Sequence, residues 1–294
     1  MVDRPADLPG APAAAAAVTG GRQAGPPESA AQIAAAYDAV AAGYDELVRE
    51  DAWMRDRLWA HYLRAFDRGA RVLDVACGTG LDTLHLAALG RRMTGVDASP
   101  GMVAELRRKA AVLGLAERLA VRVEDAAHLH DLPAASFDGI LSSFAGINTV
   151  DLPRFAAAAA RLLRPHGRAV LHLLAAAGAG RRGSGERSDV GGGSGERSNA
   201  GRGSGERSNL VDVLIGGHRV RHALPVAADL YRRHFAADFA LRRWYGLGWM
   251  WPRRFGRRCP PALLGALGRL DAALGRWPPF RGGGRFFVID LERR

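Results

Sequence analysis

Residues 72–83 read VLDVACGTGLDT. The run Val72, Leu73 and Val75 is aliphatic and β-branched, and the small-residue loop 76–80 closes it, so the spacing predicts a short buried strand. From Leu81 the apolar positions 81, 84, 86 and 89 suit a helix. A strand, a glycine turn and a helix together aim a helix N-terminus at whatever sits beyond the turn, and glycines there let a ligand approach the backbone. Taken alone, the same twelve residues also describe a plain βα turn.

The segments that follow decide between these readings. Residues 92–96 form a second predicted strand ending at Asp97, and Ser99-Pro100 opens a helix to about residue 113, with serine at the cap and proline in the first turn. Strands are predicted at 119–123, ending at Glu124-Asp125, at 137–141, and at 168–174 after the turn RPHG, with a helix over 152–163. Alternating βα units of this kind imply a parallel sheet with helices on both faces. Upstream, residues 29–66 carry helical periodicity, with Ile33, Tyr37, Val40, Tyr44, Leu47, Leu58 and Leu63 as inward positions. Downstream, three copies of GSGERS begin at Gly183, Gly193 and Gly203. Their Gly, Ser and charge content cannot form a packed core, so a flexible insertion is expected. A P-loop is not, because no strand precedes the repeats and no lysine follows. Order resumes at 218–224, followed by a helix at 226–235, strands at 239–245 and 285–291, and between those strands an amphipathic segment, PPALLGALGRLDAALGRW. The expected fold is α/β, a Rossmann-like doubly wound sheet of about seven strands. Its parts are a disordered tail (1–28), a helical cap (29–66), a core (67–175), the insertion (176–209) and a basic, aromatic C-terminal part of the same fold (210–294).

A chain of 294 residues that is 48% hydrophobic can bury a sizeable core. No apolar stretch reaches the roughly 18 residues of a membrane span. The proline-interrupted N-terminus does not read as a signal peptide, and Cys77 and Cys259 give neither a disulfide framework nor metal-ligand spacing. A cytoplasmic protein without a metal is expected. The net charge is +11, yet Lys109 is the only lysine among 41 basic residues. That bias resembles GC-rich coding more than a selected phosphate surface. Residues 240–294 nevertheless hold twelve arginines against three acids, with Trp244, Trp249, Trp251 and Trp277 interleaved. This stretch suits a solvated face, RNA or an anionic membrane surface.

Acids stand at three successive predicted strand ends: Asp74, Asp97 and Asp125. In a doubly wound sheet these ends line one crevice at the switch in strand order. Asp97 is placed to accept ribose hydroxyls, Asp125 an amino hydrogen of adenine, and Asp74 an ammonium group or its water. The pattern asks for a ligand with ribose, adenine and an amino-acid tail.

At this point the sequence resembles the class I S-adenosylmethionine-dependent methyltransferases, in the small-molecule branch that includes quinone-biosynthesis-like members. VLDVACGTG, MTGVDASPGMVAELRRKA, VRVEDAAHL, FDGILSSFAGINTV and LLRPHGRAVLHLL follow in the family's order, and AYDAVAAGYDEL looks like its N-terminal cap. The resemblance implies that Asp74, Cys77, Gly78 and Gly80 contact the methionine portion and Asp97 the ribose. It places Ala98 and Met102 at the adenine or its sugar edge, Asp125 and Ala126 beside the adenine ring, and Ser142 and Ser143 near the sulfonium. Tyr37 and Tyr44 would cap the site, or serve as core aromatics. Ala76 stands where a first glycine is common.

S-adenosylmethionine is thus the implied cofactor, S-adenosylhomocysteine its product, and an apolar or quinone-like small molecule the implied acceptor, methylated by direct displacement at the methyl carbon. His172, at the end of the fifth strand, is the best-placed general base, with His218, His222 and Asn148 as weaker candidates for polar roles. An RNA methyltransferase is the alternative, but Ser142-Ser143-Phe144-Ala145 lacks the Asn/Asp-Pro-Pro-aromatic clamp used on base amino groups, so nucleic acid is not the expected partner. A nicotinamide-dependent oxidoreductase fits less well, because Leu81-Asp82 follows Gly80 where the dinucleotide fingerprint wants a third glycine. Peripheral membrane contact through the C-terminal basic amphipathic region is a further expectation.

Overall fold

The computed structural model describes residues 18–19, 29–175, 209–215, 217–249 and 261–294. The GSGERS repeats, Cys259, Trp251 and all of the 1–28 segment except Val18 and Thr19 lie outside the described residues. The elements in chain order are β1 (Val18–Thr19), α1 (Ala30–Asp38), α2 (Tyr44–Leu47), α3 (Ala52–Ala65), β2 (Arg71–Val75), α4 (Leu81–Ala88), β3 (Arg92–Asp97) and α5 (Pro100–Val112). They continue with β4 (Leu119–Val123), β5 (Phe137–Ser142), α6 (Leu152–Leu162), β6 (Leu163–Leu174), β7 (Asn209–Ile215), β8 (His218–Leu224), α7 (Ala227–Leu230), β9 (Phe239–Leu247), α8 (Pro261–Leu274) and β10 (Phe286–Arg293).

Seven strands form the main sheet in the order β4-β3-β2-β5-β6-β10-β9. The first five are parallel, while β10 runs antiparallel to both β6 and β9. The strand order reverses between β2 and β5, which opens a crevice above their carboxyl ends. Alternate residues of one strand face opposite layers. Leu73 and Val75 join Ile140, Leu171 and Phe155 on one side, whereas Val72 joins Leu141, Val170, Leu58, Tyr62 and Leu106 on the other. Burial on both faces is why the parallel strands read as nearly continuous apolar runs.

The helices start where their caps place them. Ser99 Oγ accepts from the Met102 amide at 3.0 Å with Pro100 at the first position of α5, and Asp151 caps α6 through the Arg154 amide at 3.1 Å. Ser29 and Gln32 form a capping box at α1.

Two expectations change in detail, and a second small sheet appears. The RPHG stretch is a bulge inside β6 and not a turn before it: pairing with β5 jumps from Phe137↔Leu163 to Gly139↔Arg168, and His166 adopts φ 64°. Residues 218–224 do not join the main sheet. As β8 they pair with β7, which pairs in turn with Val18–Thr19, making a three-stranded antiparallel sheet against α1 and the 146–149 turn. Leu63 is 37% exposed, because the inward row of α3 is Met54, Leu58 and Tyr62, continuing to Phe66.

A buried polar cluster ties α3 to the C-terminal strands. His61 Nε2 lies 2.8 Å from Asp290 Oδ2, His61 Nδ1 lies 3.0 Å from the Tyr245 hydroxyl, and Arg168 donates through Nε to Asp290 Oδ1 at 2.9 Å and through Nη2 to Asp290 Oδ2. Burial works to raise the Asp290 carboxyl, but the hydrogen bonds from His61 and Arg168 more than offset it and leave its pKa below the usual carboxylate value.

Candidate active site

Above the β2/β5 switch lies a cleft of about 720 Å³, joined to a smaller recess of about 330 Å³ through the shared residues Tyr44, Ala76, Gly78, Ser143 and Phe144. The 76–80 loop forms the floor. Ala76 adopts φ 56°, a left-handed conformation costly for any residue with a Cβ. The neighbouring loop accommodates that methyl with a glycine: a Cβ on Gly146 would meet Ala76 Cβ at 2.6 Å.

The acids at the strand ends face this crevice. Asp97 lines the large cleft, and its carboxylate accepts from the Gly78 amide at 2.8 Å and the Ser99 amide at 2.9 Å, so the last residue of β3 fixes the glycine loop as well. Burial raises its pKa against the lowering effect of those two amides. Asp125 Oδ1 accepts from the Ala127 amide at 2.9 Å, which orients its carboxylate beside Ala126. Ala98 and Met102 complete the wall between them. Ala30, Ile33 and Ala34 of α1 and Val150 after β5 add an apolar part to the lining.

The recess has a different character. Asp74, Cys77 and Thr79 line it together with Arg55 and Asp82 from α3 and α4. Arg55 Nη1 donates to Asp82 Oδ2 at 2.6 Å, Trp59 Nε1 donates to Asp82 Oδ1 at 2.7 Å, and the Arg55 guanidinium lies 4.2 Å from the centroid of the Phe144 ring. Burial pulls the Arg55 pKa down, but Asp82 raises it by more, so the cation is secured. Asp74 accepts from Thr83 Oγ1 at 2.5 Å, and burial followed by the nearby Asp82 charge pushes its carboxyl well above the usual range. Burial, then Asp97 and Asp74, raises the Cys77 thiol likewise. The recess therefore presents one cation and a carboxyl group of raised pKa within a few ångströms of the loop.

Tyr37 and Tyr44 join the lining of the large cleft from the N-terminal segment, and an acid follows each of them. Tyr37 and Tyr44 pack edge to face at 6.1 Å between ring centroids. Burial is the largest cause holding both phenols in their neutral form, with Tyr44 pushed up to about 12. The aspartate after each tyrosine pins the cap to the core. Asp38 Oδ1 accepts from Ser99 Oγ at 2.5 Å and the Gly101 amide at 2.7 Å, while Asp45 accepts from Thr79 Oγ1 and pairs with Lys109 Nζ at 2.7 Å.

Eight of the expected residues, Tyr37, Tyr44, Gly78, Asp97, Ala98, Met102, Asp125 and Ala126, line the large cleft, and Asp74 and Cys77 line the recess. Three do not line either cavity. Gly80 begins α4 at φ 83°, where a Cβ would lie 2.1 Å from Leu106 Cδ1, so its task is steric. Ser142 is fully buried under Gly146, and Ser143, bonded to the Tyr62 hydroxyl at 2.7 Å, takes the place at the cleft. His172 is also fully buried: Nδ1 accepts from the Phe144 amide at 3.1 Å and the ring packs on Phe144 and Phe286 at 4.9 and 4.5 Å. Burial, then the charges of Arg55 and Arg285, lowers its pKa to about 3, so it is a poor proton acceptor as well as an inaccessible one.

Asn148 is structural too, bonding both the amide and carbonyl of Leu174 and the carbonyl of Ala223. Of the remaining polar candidates, His218 is exposed and His222 is 2% exposed, and neither lines either of these two cavities. Arg55, Thr79, Asp38 and Asp45 are the contributors that sequence reasoning passed over. For the two aspartates a signal existed, the Tyr-Asp pair repeated at 37–38 and 44–45. Among the described residues no group of three His, Cys, Asp or Glu is arranged to hold a metal.

Residues 72–167 match a family model described as a methyltransferase domain. The chain is 30% identical over 153 residues to a demethylmenaquinone methyltransferase of Symbiobacterium thermophilum, covering 49% of this chain and 59% of that protein. It is 33% identical over 150 residues to the ubiquinone/menaquinone biosynthesis C-methyltransferase UbiE of Geobacter sulfurreducens, covering 49% and 58%. The chain thus spans less than two thirds of the length of these curated relatives. In fold it is similar to the CcbJ methyltransferase of Streptomyces caelestis, with a TM-score of 0.56 at 19% identity over 88% of this chain and 97% of that one.

Proposed function

We propose, from the match of residues 72–167 to a methyltransferase-domain model, that the chain is a class I S-adenosylmethionine-dependent methyltransferase and transfers the methyl group of S-adenosylmethionine to an apolar or quinone-like small molecule. The observation that carries this reading is the joined cavity, whose two parts differ in polarity in the way the parts of that cofactor do. The donor set fits. Asp97 would take the ribose hydroxyls, Asp125, Ala126, Ala98 and Met102 the adenine, and Asp74 and Arg55 the ammonium and carboxylate of the amino-acid tail. A guanidinium has five donors, so Arg55 can hold Asp82 and a second carboxylate together.

When bound, S-adenosylmethionine supplies a methyl group on a good leaving group, and S-adenosylhomocysteine is the product. The work left to the protein is orientation and exclusion of water, which contribute on the order of 7 to 11 kcal/mol in well-positioned reactions. Tyr37 and Tyr44 would cover the bound cofactor, while Ala30, Ile33, Ala34 and Val150 in the lining favour an apolar acceptor. The quinone-related acceptors named for the two relatives support that class. An RNA acceptor has no corresponding support here, since no residue of the arginine-rich stretch 240–294 lines either of these cavities. In this reading 29–66 is the cap, 67–175 the cofactor-binding core and 210–294 the remainder of the fold, in a cytoplasmic protein.

Calorimetric titration with S-adenosylmethionine, S-adenosylhomocysteine and NAD tests the cofactor assignment. Micromolar binding of the two sulfur compounds, with none of NAD, is expected. Asp97→Ala should weaken that binding by about 1 to 3 kcal/mol, the cost of leaving polar partners unmatched. Unchanged affinity in the variant would remove Asp97 from the ribose. Methyl transfer to a demethylated quinone in vitro then tests the acceptor class separately.

A further inference from the structure

Helix α8 is held to the protein by small residues and one acid. A Cβ on Gly268 would sit 3.6 Å from Trp53, one on Gly275 would collide with the Gly246 carbonyl oxygen at 1.9 Å, and the buried Asp271 accepts from the Gly248 amide at 2.9 Å. That inward face fixes what points outward. Leu263, Ala266, Leu270 and Ala273 follow one another at three- and four-residue steps along α8, Trp277 stands three residues beyond its end, and all five are exposed, Leu263 by 48%, Leu270 by 47% and Trp277 by 65%. Arg269 and Arg276, one residue before Leu270 and Trp277, are exposed beside the row, as is Arg281 just beyond it. Between residues 250 and 289 the chain carries eight arginines and a single acid, and that acid is the buried Asp271.

We propose that this face of α8 docks on an anionic phospholipid bilayer. An apolar row of leucines ending in a tryptophan, flanked by cations and free of exposed acids, matches the interface between acyl chains and negative headgroups. Aliphatic residues spaced two turns apart favour lipid over single-stranded RNA, which is bound by stacking on successive aromatic faces along a basic groove. No helix among the described residues is long and apolar enough to cross a membrane, so the contact is peripheral. It does not depend on the chemistry assigned to the cleft.

Co-sedimentation of the full chain with lipid vesicles is the test, comparing pure phosphatidylcholine with an equal mixture of phosphatidylcholine and phosphatidylglycerol. Binding to the mixed vesicles alone, weakened by added salt, is expected. The triple variant Leu263→Ser, Leu270→Ser, Trp277→Ser and the double variant Arg269→Gln, Arg276→Gln should each lose about tenfold in partitioning, with circular dichroism melting curves close to the parent. Vesicle binding equal in parent and both variants would overturn the proposal. So would absence of vesicle binding, and doubly so if the arginine variant lost binding to single-stranded RNA instead.

Discussion

Phe144 and Ala145 occupy left-handed backbone, at φ 51° and 69°, in the turn that shapes the centre of the cleft. Each such residue costs on the order of 1 to 3 kcal/mol and persists only where its surroundings hold it. His172 does the holding: its ring accepts the Phe144 amide and its carbonyl accepts the Ala145 amide at 3.1 Å. It is therefore a positioning residue, and its substitutions separate that role from proton transfer. His172→Asn retains an acceptor near Nδ1 and should leave turnover within a few-fold of the parent. His172→Ala leaves both a cavity and an unmatched amide, and should cost about 2 to 4 kcal/mol in urea unfolding. A hundredfold fall in turnover in the asparagine variant, at unchanged stability, would restore His172 as the base. The pH dependence follows from the same burial. The folded imidazole resists protonation until about pH 3, whereas the unfolded one takes a proton near its ordinary value of about 6.5. Stability is thus complete above that value and falls with pH toward 3, by about 3 kcal/mol at most on reaching pH 4. The asparagine variant should lack this part of the acid sensitivity. None of this was legible from His172 at a strand end. The sequence places it beside the crevice, but which side of the sheet covers it depends on Phe144 and Phe286, distant in the chain.

The cap shows how far local pattern carries and where it stops. Periodicity over 29–66 locates helices, and the Tyr-Asp repeat lies in the family-like stretch, but periodicity cannot say that the acids reach across to Ser99, Gly101, Thr79 and Lys109. Asp38 accepts two hydrogen bonds at the N-terminus of α5, where a negative charge also complements the helix dipole. Asp38→Ala should lower stability by about 1 kcal/mol and raise the dissociation constant for S-adenosylhomocysteine about tenfold, because the cap carries Tyr37 over the cleft. Asp45→Ala should act in the same direction. Since both acids hold one short segment, the double variant should cost less than the two single costs added, as expected of coupled sites. Calorimetry on the four proteins measures this directly, and strictly additive losses would mean that α1 and α2 close independently.

Across the whole molecule, the parallel half of the sheet was legible because each βα unit is contiguous and its strands end in readable loops. In the antiparallel half the strands were legible but their order was not. Strand β10 inserts between β6 and β9, where its Asp290 bonds His61 and Arg168 from distant parts of the chain. The second sheet was hidden for a similar reason, since nothing near residues 218–224 announces a partner before residue 216. Its position bears on the GSGERS insertion. The Asn148 amide nitrogen donates to the Leu174 carbonyl, at the end of β6, at 3.3 Å and to the Ala223 carbonyl at 2.5 Å, beside the Asn209↔Leu224 pair that opens β7. The two ends of the 176–208 segment therefore emerge close together, and a much shorter connection can join them. If the repeats pack on nothing, excising residues 183–208 shortens a closed loop and should stabilise the fold by about 1 kcal/mol through chain entropy. For a chain of this size that corresponds to a rise in Tm of about 2 to 4 °C. A fall of more than about 5 °C in a scanning calorimeter would instead mean that the repeats cover part of the folded surface, and the insertion would then have to be counted among the walls of the cleft or of the second sheet.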